Sequence, residues 1–196
     1  MIIEYGTPAF KEEWLDYVQQ DPVHPSIPLD TRIKGTRTIL AYIDSANASP
    51  HAIICIKLGD KLPQNMEFIL SDDDITEVLG NNYMFAIFYS IFKLEHSTFK
   101  GAGAIAIKEA KQYYKNKGIK RFFTLSPIPN LRKDFKYIPA ERAIKKYLMA
   151  GTSSVSKFHL SNGATIHAIH YNADMSPQRI FESWCIMVNY DYCDYL

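Results

Sequence analysis

The stretch that most limits how this chain can fold is YMFAIFYSIF, residues 83 to 92, followed after a short polar loop by GAGAIAIKEAKQYYKNKG, residues 101 to 118. Ten nearly uninterrupted apolar positions predict a strand buried on both faces. The second stretch predicts an amphipathic helix that ends in lysines before Gly118, where a helix stops and positive charge suits the dipole. KRFFTLS (120 to 126) then predicts another strand, halted by Pro127 and Pro129. Strand, helix and strand in succession predict that the two strands run parallel. A chain with this unit at its centre is an α/β or α+β domain around a mixed sheet.

The flanks supply the other elements. TPAFKEEWLDYVQQ (7 to 20) predicts a helix capped by Thr7, with Pro8 in its first turn and Phe10, Trp14, Tyr17 and Val18 on one face. DPVHPSIPL (21 to 29) predicts a Pro-marked loop. RTILAYID (37 to 44) and HAIICIKLG (51 to 59) predict two strands joined by a polar turn. LSDDDITEVLG (70 to 80) predicts a short helix with its acids at the N-terminal end. IPAERAIKKYLMAG (138 to 151) predicts another, started near Pro139 and stopped at Gly151. SSVSKFHL and ATIHAIHYN are expected to form a hairpin across Asn162-Gly163, a dipeptide that favours tight hairpin turns. SPQRIFESW predicts a last helical turn or two capped by Ser176, and CIMVNYDYC a last strand.

Composition closes several function classes. With 196 residues, 47% apolar and 22% charged, the chain can bury one full-sized core. The net charge of +1 gives no global argument for nucleic acid binding. No apolar run approaches the length of a membrane span, and the N-terminus lacks a basic segment followed by an apolar one, so neither membrane nor secretion is expected. Three cysteines, Cys55, Cys185 and Cys193, have no metal-type spacing, so reduced and buried thiols in a cytoplasmic protein are expected.

Two stretches could carry chemistry. Gly101, Ala102, Gly103 and Ala104, after Lys100, let a backbone approach a ligand closely, and the helix start offers free N–H groups to an anion. Neither a Walker loop nor a GxGxxG fingerprint is formed. Ser126 stands at the C-terminal end of a predicted strand, where reactive groups of α/β sheets gather, but without a GxSxG elbow. Of the histidines, His167 and His170 are three apart on a predicted strand. They are expected to point to opposite faces and pack, as are His51 and His96, while His24 is left open. His159 is expected to share a strand face with Val155 and Lys157. No set of four ligands suits zinc, so no metal is expected.

FYSI (88 to 91), TLSPIPN (124 to 130), KFHLSNGATIHAIHYNADMS (157 to 176) and IMVNYDY (186 to 192), with VHP at 23 to 25, occur in an order that resembles the catalytic domain of the malonyl-CoA decarboxylase family. The resemblance implies a GNAT-like mixed β-sheet flanked by helices, with a splayed central strand pair forming the acyl-CoA site. It assigns residues 23 to 196 to that catalytic domain and 1 to 22 to an N-terminal helical segment. It implies a catalytic pair, Ser126 and His159. It also implies a CoA diphosphate held by Lys100, Gly101, Ala102, Gly103 and Ala104, and substrate contacts from Tyr89, Ser90, Pro127 and Asn162. Loss of CO2 from malonyl-CoA to give acetyl-CoA leaves an enolate that the thioester itself stabilises. No cofactor beyond the coenzyme A thioester is then required: no metal, biotin or pyridoxal.

The chain departs from the family pattern in lacking a long helical insertion between the serine and histidine blocks and a large N-terminal helical domain. Asn130 also replaces a glycine. The expected partner is therefore malonyl-CoA or malonyl-acyl carrier protein. Lys100, Lys115, Lys117, Arg132, Lys133 and Lys136 are candidates for meeting either a ribose phosphate or an acidic carrier. Two rival readings accompany the decarboxylase: a GNAT-type acyltransferase, and an inactive acyl-CoA-binding module.

Overall fold

The computed structural model describes residues 1 to 45, 49 to 72 and 84 to 193. The chain divides into two compact units, residues 1 to 61 with 70 to 122, and residues 62 to 69 with 123 to 196.

The first unit is an antiparallel sheet covered by one long helix. Its strands follow chain order: β1 (Ile2–Glu4), β2 (Arg37–Tyr42), β3 (Ala52–Gly59) and β4 (Phe85–Lys93). Ile39, Leu40, Ala41, Ile53, Ile54, Cys55 and Ile56 are all fully buried, as a continuous apolar strand requires. β1 has only three residues, too few to announce a strand in the sequence. Before α1 (Leu15–Val18), with a 3-10 turn at Glu12–Trp14, the expected helix is missing its first half. Thr7 does not cap a helix. Its N–H and hydroxyl both turn back onto the Glu4 carbonyl, and Gly6 is at φ +83°. The expected loop ends in α2 (Leu29–Arg32). The expected helix at 70 to 80 lies, from residue 73, outside the described residues; Leu70 instead closes α3 (Met66–Leu70).

α4 (Ala102–Asn116) matches its sequence pattern. Ala102, Ala106, Ala110 and Tyr114 recur every fourth residue and are buried, and three small side chains in that row let the helix lie close to the sheet. Its last turn is tied to β1, where Glu4 accepts from Tyr113, Tyr114 and Lys117.

The second unit is built around β8 (Met187–Asp191). β5 (Arg121–Thr124) and β6 (Ser126–Pro127) lie antiparallel to it in one register: Phe123 opposite Asp191, Ser126 opposite Val188, Pro127 opposite Met187. On its other side runs β7 (Thr165–His170). Helices α5 (Leu131–Asp134), α6 (Glu141–Met149), α7 (Ser154–Ser161) and α8 (Pro177–Ser183) complete it, with Ser176 before α8 and Pro177 at its start as expected.

The expected hairpin at Asn162-Gly163 is not formed. Residues 154 to 161 are the helix α7, and the Asn-Gly pair ends it. Gly163 takes φ +82°, its N–H reaches the Leu160 carbonyl, and the Ala164 N–H reaches the His159 carbonyl. This is the Schellman closure of a helix, which uses the same left-handed glycine as a tight hairpin turn does. His159 is therefore on a helix and shares its buried face with Ser156, not with Val155 and Lys157.

A second correction concerns His167 and His170. The register of β7 against β8 slips between Ile166 and Ala168, leaving His167 as an extra residue. That bulge restores both histidines to one face, where His170 bonds Asn189 and His167 approaches Asp191 at 4.0 Å.

Candidate active site

Strand alternation assembles the site. In the register of the second unit, Thr124 and Ser126 point to the same face as Val188, Tyr190 and Tyr192. Helix α7 lays His159 onto that face, its ring stacked on Tyr190 at 4.4 Å between centroids and 25° between planes. Ser126 Oγ lies 3.0 Å from His159 Nε2, and His159 Nδ1 lies 2.8 Å from the Tyr192 hydroxyl. Ser126 in turn bonds Thr124 Oγ1 at 2.9 Å. Thr124 is itself fixed: its Oγ1 receives the Tyr190 N–H at 3.4 Å, and its carbonyl accepts from Asn189 Nδ2 at 2.8 Å.

Burial decides the protonation state. His159 is 4% exposed, and loss of water pushes its pKa down to about 3. Burial likewise raises the Tyr192 and Tyr190 phenols above their ordinary range, so both keep their protons. A neutral imidazole has one N–H and one acceptor. With Ser126 donating to Thr124, the consistent arrangement is Tyr192 O–H to Nδ1, then Nε2–H to Ser126 Oγ. The chain of bonds thus holds the imidazole proton on the nitrogen beside Ser126.

Asn162 and Pro127 belong to the same unit as Ser126 and His159. Asn162 Nδ2 donates to the Phe158 carbonyl at 2.7 Å, closing the end of α7, and Pro127 is buried in β6. Lys100, Gly101, Ala102, Gly103 and Ala104 are in the first unit at the start of α4, where Gly101 takes φ +77° and Lys100 is exposed. Tyr89 and Ser90 are also in the first unit, buried in β4. Of the candidate cations, Lys117 is committed to Glu4, while Arg132 bonds the Ile180 carbonyl and approaches the Trp184 ring. Cys55 and Cys185 are free and buried, as expected, whereas Cys193 is half-buried. Among the described residues no group of three His, Cys, Asp or Glu could hold a metal ion, and no helix is long and apolar enough to cross a membrane. Sequence reasoning gave no role to Thr124, Tyr190 or Tyr192. The signal was present, since all three stand at alternate positions within the motif blocks TLSPIPN and IMVNYDY.

The fold is that of the GNAT-like decarboxylases and acetyltransferases. A GNAT-like decarboxylase, GphF, solved in complex with isobutyryl-CoA, superposes with a TM-score of 0.64 at 12% identity over 98% of both chains. Malonyl-CoA decarboxylase from Agrobacterium vitis gives a TM-score of 0.77 at 20% identity, over 99% of this chain and 60% of that one. The enzyme from Rhodopseudomonas palustris gives 0.70 at 20% identity, over 98% and 60%. This chain thus spans about 60% of the length of the malonyl-CoA decarboxylases it superposes on. Residues 135 to 195 match the family model of the malonyl-CoA decarboxylase C-terminal domain, a stretch that includes the motif blocks at 157 to 176 and 186 to 192. No curated protein sequence matches significantly.

Proposed function

We propose that the chain decarboxylates a malonyl thioester, with malonyl-CoA giving acetyl-CoA and CO2. The observation that carries this reading is the buried contact between Ser126 Oγ and His159 Nε2, with Tyr192 fixing the far side of the ring.

The chemistry needs two services. The C–C bond to the carboxylate breaks and its electron pair enters the thioester as an enolate; that enolate then takes a proton at Cα. Ser126, swinging its hydroxyl from Thr124, donates to the carboxylate or to the developing oxyanion. One such donor is worth ~10²–10³ in rate. His159 supplies the proton, a service worth ~10²–10⁴.

An imidazole held neutral in the free protein is a poor acid, and the substrate corrects this itself. A malonyl carboxylate brought against the ring favours the imidazolium, raising the pKa that burial had lowered. Loss of CO2 moves the negative charge to the enolate, and His159 discharges its Nε2 proton there, leaving a neutral ring with Nδ1–H donating to the Tyr192 oxygen; exchange with solvent then restores the resting Nε2–H form. In this reading Lys100 and the Gly101–Ala104 backbone at the start of α4 meet the diphosphate of coenzyme A, through free N–H groups and positive potential.

Purified protein given malonyl-CoA and no acceptor should release CO2, and Ser126→Ala and His159→Ala should do so at least ~10²-fold more slowly. Activity on malonyl-acyl carrier protein alone would assign the carrier. Release that requires an amine or thiol acceptor would make the chain an acyltransferase. Binding of the thioester without turnover would leave a binding module.

A further inference from the structure

A second buried polar network lies in the first unit, and the chemistry above gives it no role. It begins in the loop DPVHPSIPLDTR, residues 21 to 32, whose three prolines fix φ and remove three backbone donors. Arg32 gathers the loop around its guanidinium. Nε donates to the Ile27 carbonyl at 3.1 Å, Nη2 to the His24 carbonyl at 2.5 Å, and Nη1 to Asp21 Oδ2 at 2.7 Å. Nη1 also reaches the Cys55 thiol at 3.4 Å. The other oxygen of Asp21 accepts the Val23 N–H at 2.7 Å. The Arg32 and Asp21 side chains are 2% and 0% exposed, so the pair is screened from water.

Besides the contact with Cys55, bonds from this loop end on two neighbouring residues of β4. The Ser90 hydroxyl donates to Asp21 Oδ2 at 2.7 Å, and His24 Nε2 lies 3.1 Å from the Tyr89 carbonyl. A carbonyl only accepts, so His24 carries a proton on Nε2. The place they grip is irregular. Against β3, Ser90 pairs with Cys55 and Phe88 with Ile56, so Tyr89 is an extra residue, a β-bulge. A bulge interrupts the ladder and re-aims the strand, and here side chains from a rigid loop hold it. The sequence blocks VHP and FYSI meet at this point.

We propose that Asp21, His24 and Arg32 are positioning residues that hold the β4 bulge at Tyr89 in the conformation that receives the acyl thioester. The inference rests on the acyl-CoA reading above. Loosening the clasp affects binding and leaves Ser126 and His159 untouched, so it raises KM and the dissociation constant with kcat preserved.

The test compares wild type, His24→Ala, His24→Gln and Ser90→Ala by amide hydrogen exchange over residues 86 to 92, acetyl-CoA affinity and kcat. Removing the His24 bond should speed exchange and weaken acetyl-CoA binding about tenfold, with kcat within about twofold of wild type. His24→Gln, which keeps an N–H of similar reach, should restore both. Ser90→Ala deletes a single hydroxyl and should weaken binding about fivefold, so the test survives a His24→Ala protein that does not fold. Unchanged exchange, or faster exchange with unchanged affinity, would overturn the proposal. A wild-type protein that binds no acyl-CoA would instead sink the functional reading, and the exchange data would still report on the clasp.

Discussion

A buried polar network in the first unit and another in the second are built on opposite principles. In the first, a full charge pair, Asp21 and Arg32, is sealed from water and anchors a proline-rich loop to a strand bulge. In the second, four uncharged groups, Tyr192, His159, Ser126 and Thr124, are strung in one line with His159 stripped of its charge by burial. Formal charges kept dry must be matched at once and permanently, which suits holding backbone in place. A neutral chain can change its proton order when a charged substrate arrives, which suits chemistry. The site is the network that can be re-protonated; the clasp is the one that cannot.

The largest expected effect comes from breaking the neutral chain at its reacting members. His159→Ala should lower kcat by ~10²–10⁴ and Ser126→Ala by ~10²–10³, read from steady-state kinetics on protein that thermal melts show to be folded. The clasp should respond in reverse. Arg32→Met leaves Asp21 buried and unpaired and should cost about 3–5 kcal/mol in denaturant unfolding, while Asp21→Leu with Arg32→Met should recover much of that loss.

Titration sharpens the contrast. The folded pKa of His159, about 3, is below the unfolded value of about 6.5. Between those values the unfolded chain binds the extra proton, so stability is intact above about pH 6.5 and falls as pH drops toward 3. The slope reaches about 1.4 kcal/mol per pH unit. His159→Gln should lose this component, so the wild-type-minus-variant stability difference should decline with acid across that window. A difference flat in pH would mean that the ring is not held neutral. Tyr192→Phe removes one hydroxyl from the chain. It should cost about 1 kcal/mol of stability and lower kcat about tenfold, with KM unchanged. The smallest effect is expected at the end of α7. Gly163→Ala meets no neighbouring atom but must take φ +82°, for a loss of about 1 kcal/mol in unfolding experiments.

What the sequence revealed followed from where physical signals are single-valued. α4 was legible because its small and apolar residues recur at helical spacing between two glycines with positive φ, Gly101 and Gly118. β2, β3 and β4 were legible as long apolar runs. α7 was not, because its buried residues are Ser156 and His159, which leave no apolar stripe, and because Asn-Gly signals a left-handed turn without saying what precedes it. The pairing of Ser126 with His159 came from motif resemblance, and periodicity alone would have put His159 on the wrong kind of element. Tyr192 and Thr124 sat in quoted motifs without a role, because a tautomer-fixing hydroxyl is recognised only once strand register puts it beside the ring. The bulge at His167 was equally invisible, since one unpaired residue leaves no mark in an alternating pattern.

The most direct test is to turn over malonyl-CoA in D2O and measure both the yield of acetyl-CoA and its deuterium content, with wild type beside Ser126→Ala and His159→Ala. Wild type should give acetyl-CoA carrying one solvent deuterium on its methyl group, and both variants should form it at least ~10²-fold more slowly. Acetyl-CoA formed by His159→Ala at the wild-type rate, or none formed by wild type, would contradict the account.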